Sequence, residues 1–436
     1  MFNDRPRAGF FKSADTMIFL KDITIDGRVV DMLIENGKIS RISPGIELST
    51  ADGADVQIMD CRGKVAIPGF INMHTHAAMS LMRGIMEDVP FEIWLSNIWK
   101  IEKNIDADFV YWGTKIACLE MIKSGTTTFN DQYFYSDAAH QAAVEMGIRP
   151  FICYVVLDHL DRDAAERQKE QCQLMYEKSL GWKDGARMQM AFHAIYSVTE
   201  EMMVWASDFA KEHGLKLHIH LAEYEKEVID CKAAHKGLTP TEYLNELGIL
   251  GPHLIAGHTL WLSEHDIELL GENHVNCVHN INSNAKLASG YRFKYNELRD
   301  AGANVCLGTD GAASSNNMDM LETMKTTALF QKAWRKDPAQ MPIRELMDMA
   351  TVNGAKALGI HAGVLQEGAD ADISIVDTEN SSFLSPAPFE ANLIYSAHSD
   401  CIDSVIAGGK FVMKNRVVEN EESILFYARE VLNKIQ

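Results

Sequence analysis

Between residue 65 and about residue 310 the chain alternates short apolar runs with helical stretches, and this alternation limits its fold more than any other feature. The strand candidates are Val65–Met73, Thr126–Asn130, Arg149–Val156, Met188–His193, Leu215–Leu221, His253–His258, Val275–His279 and Asn304–Gly308. Most are apolar, without the polar alternation of a half-exposed strand, which fits a sheet covered on both faces. Helical patterns lie between them, among them Asp106–Ser124, Glu200–His213, Pro240–Leu247 and Tyr295–Ala301. Parallel strands need such crossovers. Eight β/α units of this kind predict a (β/α)8 TIM barrel of the α/β class.

The two ends of the chain have a different texture. Residues 17–60 read as short strands, Met17–Ile23, Arg28–Glu35, Lys38–Ile42 and Val56–Asp60, with hairpin signals at Asp26-Gly27 and Asn36-Gly37. Similar strands return at Asp372–Val376, Ser404–Ala407 and Lys410–Val418, with a turn at Gly408-Gly409. Neither piece is large enough to bury a good core alone. Together they predict one small β-sandwich domain: residues 1–64 and 365–436 flank a barrel over 65–364.

Composition excludes several classes. A formal charge of -20 opposes nucleic-acid binding, which needs clustered Lys and Arg. With 47% apolar and 23% charged residues the chain reads as a soluble globular protein, and no apolar stretch reaches membrane-span length. The first twenty residues, MFNDRPRAGFFKSADTMIFL, lack a coherent signal-peptide core. Eight scattered cysteines with no Cys-x-x-Cys read as buried thiols in a reducing compartment. The expectation is a cytoplasmic protein acting on a small molecule, with homo-oligomerisation left open.

In a TIM barrel, functional groups gather where the strands end at the C-terminal face. The first strand delivers His74 and His76 there, two apart and therefore on one side. The fourth delivers His193, the fifth His218 and His220 followed by Glu223, and the sixth His258. The seventh delivers His279 and Asn280–Asn284, and the eighth Asp310 in Gly308-Thr309-Asp310-Gly311. His218 and His220 face the same way, so one can be a ligand and the other stand behind it. Imidazoles and a carboxylate converging from several strands suit a divalent metal.

Several ordered segments resemble the amidohydrolase superfamily. They are Pro68-Gly69-Phe70-Ile71-Asn72-Met73-His74-Thr75-His76, Leu81-Met82-Arg83-Gly84, Ser124-Gly125-Thr126-Thr127-Thr128, His220-Leu221-Ala222-Glu223, Ser283-Asn284-Ala285-Lys286-Leu287-Ala288-Ser289-Gly290 and Leu307-Gly308-Thr309-Asp310-Gly311. Within the superfamily the chain is similar to S-adenosylhomocysteine and 5′-methylthioadenosine deaminases, with triazine hydrolases as cousins. The resemblance implies metal ligands at His74, His76, His220 and Asp310. It implies that Glu223 protonates a substrate ring nitrogen and that His258 sits beside the metal-bound water. It places His193 and Glu87 against substrate, Glu87 on the ribose hydroxyls. After the third strand, where such deaminases place arginines for an amino-acid tail, only Tyr154 and the more distant Arg162 and Arg167 stand here.

The implied chemistry is self-consistent. Three neutral imidazoles and one carboxylate leave a divalent cation near +1, enough to bring the pKa of bound water from 15.7 toward about 7. Asp310 can take the water's proton, and Glu223, if held protonated by apolar neighbours, can give one. The third and fourth strands end without a lysine, and a carboxylated lysine is what typically bridges two metals, so one ion is expected: Zn2+, with Fe2+ or Mn2+ as alternatives. The expected activity is hydrolytic deamination of a purine nucleoside derivative or related amino-heterocycle. The alternative is removal of chloride or an alkylamine from a triazine-like ring. Phe91, Trp94 and Trp99 could line the pocket or pack elsewhere.

Overall fold

The computed structural model describes residues 17–48 and 56–433. Residues 1–16, over most of which the absence of a signal-peptide core is read, lie outside the described residues. No helix among the described residues is long and apolar enough to cross a membrane. All eight cysteines are buried and unpaired.

Two eight-stranded sheets make up the fold. The strands of the first are β1 (Met17–Ile25), β2 (Arg28–Glu35), β3 (Lys38–Ser43), β4 (Val56–Asp60), β5 (Lys64–Pro68), β14 (Ile373–Asp377), β15 (Ile402–Ala407) and β16 (Lys410–Met413). Their order is β16-β15-β14-β5-β1-β2-β3, with β4 beside β1. Both chain ends contribute, because β5 pairs antiparallel with β14 from Lys64↔Asp377 to Pro68↔Ile373. One apolar cluster joins the two parts, including Ile18, Leu20, Ile23, Met32, Ile34, Ile373, Ile375 and Ile406.

The second sheet is the parallel barrel: β6 (Phe70–Thr75), β7 (Thr126–Tyr133), β8 (Arg149–Val156), β9 (Gln189–Phe192), β10 (Leu217–Leu221), β11 (Leu254–His258), β12 (Asn276–His279) and β13 (Asn304–Leu307). Its helices form as their sequences direct. Asp106 caps Ala107–Lys123 by accepting the Phe109 N–H, and Thr239 closes a capping box with Glu242 at Pro240–Glu246. Gly214 ends Glu200–His213 in the left-handed conformation.

Two differences from the sequence reading matter. The run Val65–Met73, expected as one barrel strand, divides at Pro68-Gly69: β5 joins the terminal sheet and the barrel begins at Phe70. Proline supplies no N–H for the ladder, and Gly69 passes so close to Thr127 that a Cβ would lie 2.3 Å from its side chain. The junction is held by the Gly69 N–H on the Asp372 carbonyl and the Phe70 N–H on that of Gly125, both at 2.9 Å. In addition, β7 runs to Tyr133, past the expected end at Asn130, and all eight of its residues are buried. The polar residues Asp131-Gln132 fall outside the expected strand, although they are buried within it.

The C-terminal part also reaches the barrel. Helix Glu421–Leu432 lies on Ala107–Lys123, where Tyr427 stacks on Trp112 at 4.9 Å and Glu421 Oε1 sits 2.6 Å from Lys123 Nζ. At the opposite end of the barrel strands from the site, Arg149 pairs with Asp370 at 2.9 Å and with Asp372 at 3.1 Å, the latter only 1% exposed. Removing the guanidinium leaves a buried carboxylate without its partner. Arg149→Met should therefore cost about 2–3 kcal/mol in chemical denaturation, and adding Asp372→Asn should recover part of the loss.

Candidate metal centre

The site forms where the barrel strands end. His76 follows β6 directly, and its Nδ1–H donates to the Gln132 carbonyl of β7 at 2.6 Å, leaving Nε2 as the lone-pair face. His220, on β10, is set the same way by the His193 carbonyl, 2.9 Å from its Nδ1. The two Nε2 atoms meet 3.1 Å apart. Two lone pairs at that distance repel unless a positive charge lies between them. His74 is fully buried, with Nδ1 2.7 Å from His218 Nε2 and its own Nε2 lacking any hydrogen-bond partner.

Asp310 completes the group from beyond β13. Its backbone is left-handed (φ 65°), its N–H donates to the His74 carbonyl at 2.9 Å, and Oδ1 accepts the Gly311 N–H at 2.8 Å. That oxygen lies 3.2 Å from His76 Nε2 and 3.5 Å from His74 Nε2. Burial opposes ionisation of Asp310, yet its contacts with His74 and His76 hold the carboxyl well below the usual range. Burial likewise works against a charged His76, but Asp310 overcomes it and takes the ring up to about 9. Both shifts express one interaction, the attraction between Asp310 and the imidazoles beside it. The ligand atoms of His74, His76 and Asp310 lie within 4.8 Å of one another, as do those of His74, His220 and His258. An orphaned buried Nε2, a facing pair of Nε2 atoms and an ionised carboxylate fit a divalent cation.

Two further groups face this cluster. His258 Nδ1 accepts from Asn284 Nδ2 at 3.0 Å, so its Nε2 carries the proton and points inward. Burial lowers this ring to about 3, which keeps it neutral at pH 7. Its Nε2 lies 3.7 Å from Glu223 Oε1 and 3.8 Å from Asp310 Oδ2. Glu223 is fixed through its backbone: the Glu227 carboxylate accepts the Ala222 N–H at 3.0 Å and the Glu223 N–H at 2.8 Å. Burial first, then the charges of Asp310 and Glu227, raise the Glu223 carboxyl well above its usual range. Left-handed backbone at Ala222, His258, Thr259 and Asp310 marks this face as one held in place by its surroundings.

A cavity opens onto these residues, lined also by Gln132, Tyr133, His193 and Tyr196. Helix Phe91–Glu102 lies across it, presenting Phe91, Trp94, Leu95, Ile98, Trp99 and Glu102, so the three aromatics line the pocket. His193 is held by Ser197 Oγ, 2.8 Å from its Nδ1. His279 is buried but stacks on Phe293 and does not line the cavity. Glu87 stands outside. Its carboxylate is partly exposed and pairs with Lys286 Nζ at 2.9 Å and Asn316 Nδ2 at 3.1 Å, because the chain turns outward after Gly84. Arg162 pairs with Glu201 at the surface, and neither Arg162 nor Arg167 lines the cavity. Tyr154 lines an adjoining cavity of about 860 Å³, which shares Trp99, Glu102 and Tyr133 with the inner one.

The sequence reading passed over Glu102, Gln132 and Tyr133. Glu102 could have been found: it continues the helical stripe of Phe91, Trp94, Ile98 and Trp99, and a carboxylate on an apolar stripe is a signal. Burial takes it up to about 7.

This chain belongs to the amidohydrolase family, whose profile matches residues 65–412. It is 43% identical over 371 residues to a 5′-deoxyadenosine deaminase of Methanoregula boonei, covering 84% of each chain. It is 40% identical over 411 residues to 5-methylthioadenosine/S-adenosylhomocysteine deaminase 1 of Archaeoglobus fulgidus, covering 93% of this chain and 95% of that one. Among solved structures, a zinc-bound adenosine deaminase from Xanthomonas campestris superposes with a TM-score of 0.87 at 28% identity, covering 97% of this chain and 98% of that one.

The geometry predicts a sensitive neighbour. A Cβ on Gly257 would lie 2.9 Å from the His74 ring. Gly257→Ala should lower divalent-metal affinity about tenfold or more while circular dichroism stays that of the wild type. Elemental analysis after dialysis reads the loss.

Proposed function

We propose that this chain is a metal-dependent hydrolytic deaminase of an adenosine derivative of the 5′-deoxyadenosine, methylthioadenosine or S-adenosylhomocysteine type. The observation that carries the reading is a pair of buried carboxyl groups facing one imidazole, His258 Nε2 lying 3.7 Å from Glu223 and 3.8 Å from Asp310, in surroundings that favour the ionised form of Asp310 and the neutral form of Glu223. The names of the two curated relatives point to the same substrates.

In this reading His74, His76, His220 and Asp310 hold one divalent ion. Zn2+ suits their nitrogen and oxygen donors and is bound in the Xanthomonas campestris relative. Absence of a lysine from the cavity lining supports one ion over two. Such an ion, when bound, would bring the pKa of a water on it toward neutrality. Asp310 Oδ2, the oxygen turned toward His258, is the group that would accept a proton from the attacking water. His258 donates from Nε2 to the attacking oxygen and steadies it. Glu223 gives its proton to the ring nitrogen beside the carbon under attack, so negative charge does not build up there. The proton on Asp310 then passes to the departing amine, the C–N bond breaks and ammonia leaves, while the proton of the new hydroxyl returns the Glu223 carboxyl to its neutral form as the carbonyl forms.

His193 and Glu102 are our candidates for holding the sugar. Glu102 takes the role that resemblance implies for Glu87, because it lines the cavity and Glu87 does not. Eight buried free thiols support a reducing, cytoplasmic setting.

Ammonia release from 5′-deoxyadenosine, methylthioadenosine and S-adenosylhomocysteine tests the reading; chloride or alkylamine release from triazines, with no ammonia from any nucleoside, would contradict it. Glu223→Gln should keep metal content near that of the wild type and cut turnover on the order of 10²-fold or more. Asp310→Asn should abolish turnover and weaken metal retention, and a wild-type rate in that variant would remove its double role.

A further inference from the structure

The proposed chemistry leaves unused a second carboxylate close to the ligands. Asp131, on β7, is fully buried. Its Oδ1 accepts two hydrogen bonds of 2.7 Å, from Thr75 Oγ1 and from the Ala77 N–H. Those two residues bracket His76. The β6–β7 register shifts between Asn72 and Thr75 and ends on the pair Thr75↔Asp131, so the carboxylate sits at the last rung of the ladder. The next residue, Gln132, orients the His76 ring through its carbonyl. Asp131 and Gln132 thus set the position and the tilt of one ligand from the neighbouring strand.

The other carboxylate oxygen is unusual. Asp131 Oδ2 is buried and has no hydrogen-bond partner, and among the described residues no Lys, Arg or His side chain forms an ion pair with Asp131. Burial pushes the Asp131 carboxyl up, opposed by its bonds to Ala77 and Thr75 and by the nearby His76 ring, so its ionised form is costly and is favoured further by a positive charge placed close by. The ligand set supplies the reason. Three neutral imidazoles and Asp310 leave a divalent cation with about one uncancelled positive charge, and Asp131 carries the matching negative one behind His76.

We propose that Asp131 is a positioning residue and outer counter-charge of the metal centre, clamping the turn that carries His76 and balancing the cation left incompletely neutralised by the ligands. This rests on the metal-centre reading above. Its consequence is a trade: Asp131 destabilises the metal-free protein and tightens the metal-loaded one. A purely structural clamp would stabilise both.

Asp131→Asn keeps the shape, can still accept at Oδ1 and removes the charge. With zinc as the probe, competition against a chromophoric chelator gives the affinity, and thermal unfolding of the chelator-stripped protein gives the apo stability. The expected result is a zinc dissociation constant raised about tenfold or more with an apo Tm equal to or above that of the wild type. Thr75→Val breaks one bond of the clamp and keeps the charge; it should lower the apo Tm and move the zinc constant less than Asp131→Asn does. Unchanged zinc affinity in Asp131→Asn, a fall in its apo Tm, its failure to fold, or a larger zinc effect from Thr75→Val would each overturn the proposal. Should the wild type itself bind no zinc, the metal-centre reading fails, an outcome separable from all of these.

Discussion

The mouth of the barrel depends on how its first and last strands meet. No regular ladder is assigned between β6 and β13, and the seam is closed by particular groups instead. Asn72 Nδ2 donates to Thr309 Oγ1 at 2.7 Å, the Thr309 N–H returns to Asn72 Oδ1 at 3.1 Å, and the Asp310 N–H reaches the His74 carbonyl at 2.9 Å. These bonds bring a carboxylate from the last strand against imidazoles from the first. Closing the barrel and assembling the ligands are therefore one event. A shift of one residue in either strand would turn the ligands away from the site.

Charge then decides roles. Two carboxylates on neighbouring faces of one cavity have opposite environments: Asp310 lies against the His74 and His76 rings, whereas Glu223 has burial and two negative neighbours. The first favours the ionised form and the second the neutral one. His258 lies within 4 Å of both and stays neutral because Asn284 satisfies one nitrogen while burial disfavours a second proton. One acceptor, one donor and one neutral hydrogen-bonding ring are what hydrolysis of an amidine-like ring requires.

Much of this is legible in the amino-acid order, for physical reasons. Strands buried on both faces leave apolar runs, and ligands at strand ends leave polar residues just after them, so His74, His76, His220, His258 and Asp310 stand out. Interior polar strand residues hide. Asp131-Gln132 falls past the expected end of its strand because its side chains bond to partners far away in sequence: Thr75, Ala77 and the carbonyls of Phe192 and His218. Pro68-Gly69 divides two sheets within one apolar run, which local hydrophobicity does not show. The outward turn after Gly84 sends the Glu87 carboxylate to Lys286 and the surface, and the helix that follows carries that of Glu102 over the cavity.

The central claim is a single divalent ion bound by imidazole nitrogens and one carboxylate. X-ray absorption at the zinc edge of the zinc-loaded protein tests it directly. The account predicts a first shell of nitrogen and oxygen at about 2.0–2.1 Å, with outer-shell scattering from imidazole rings and no metal neighbour. A sulfur shell at about 2.3 Å, or a second metal at about 3.5–4 Å, would contradict it.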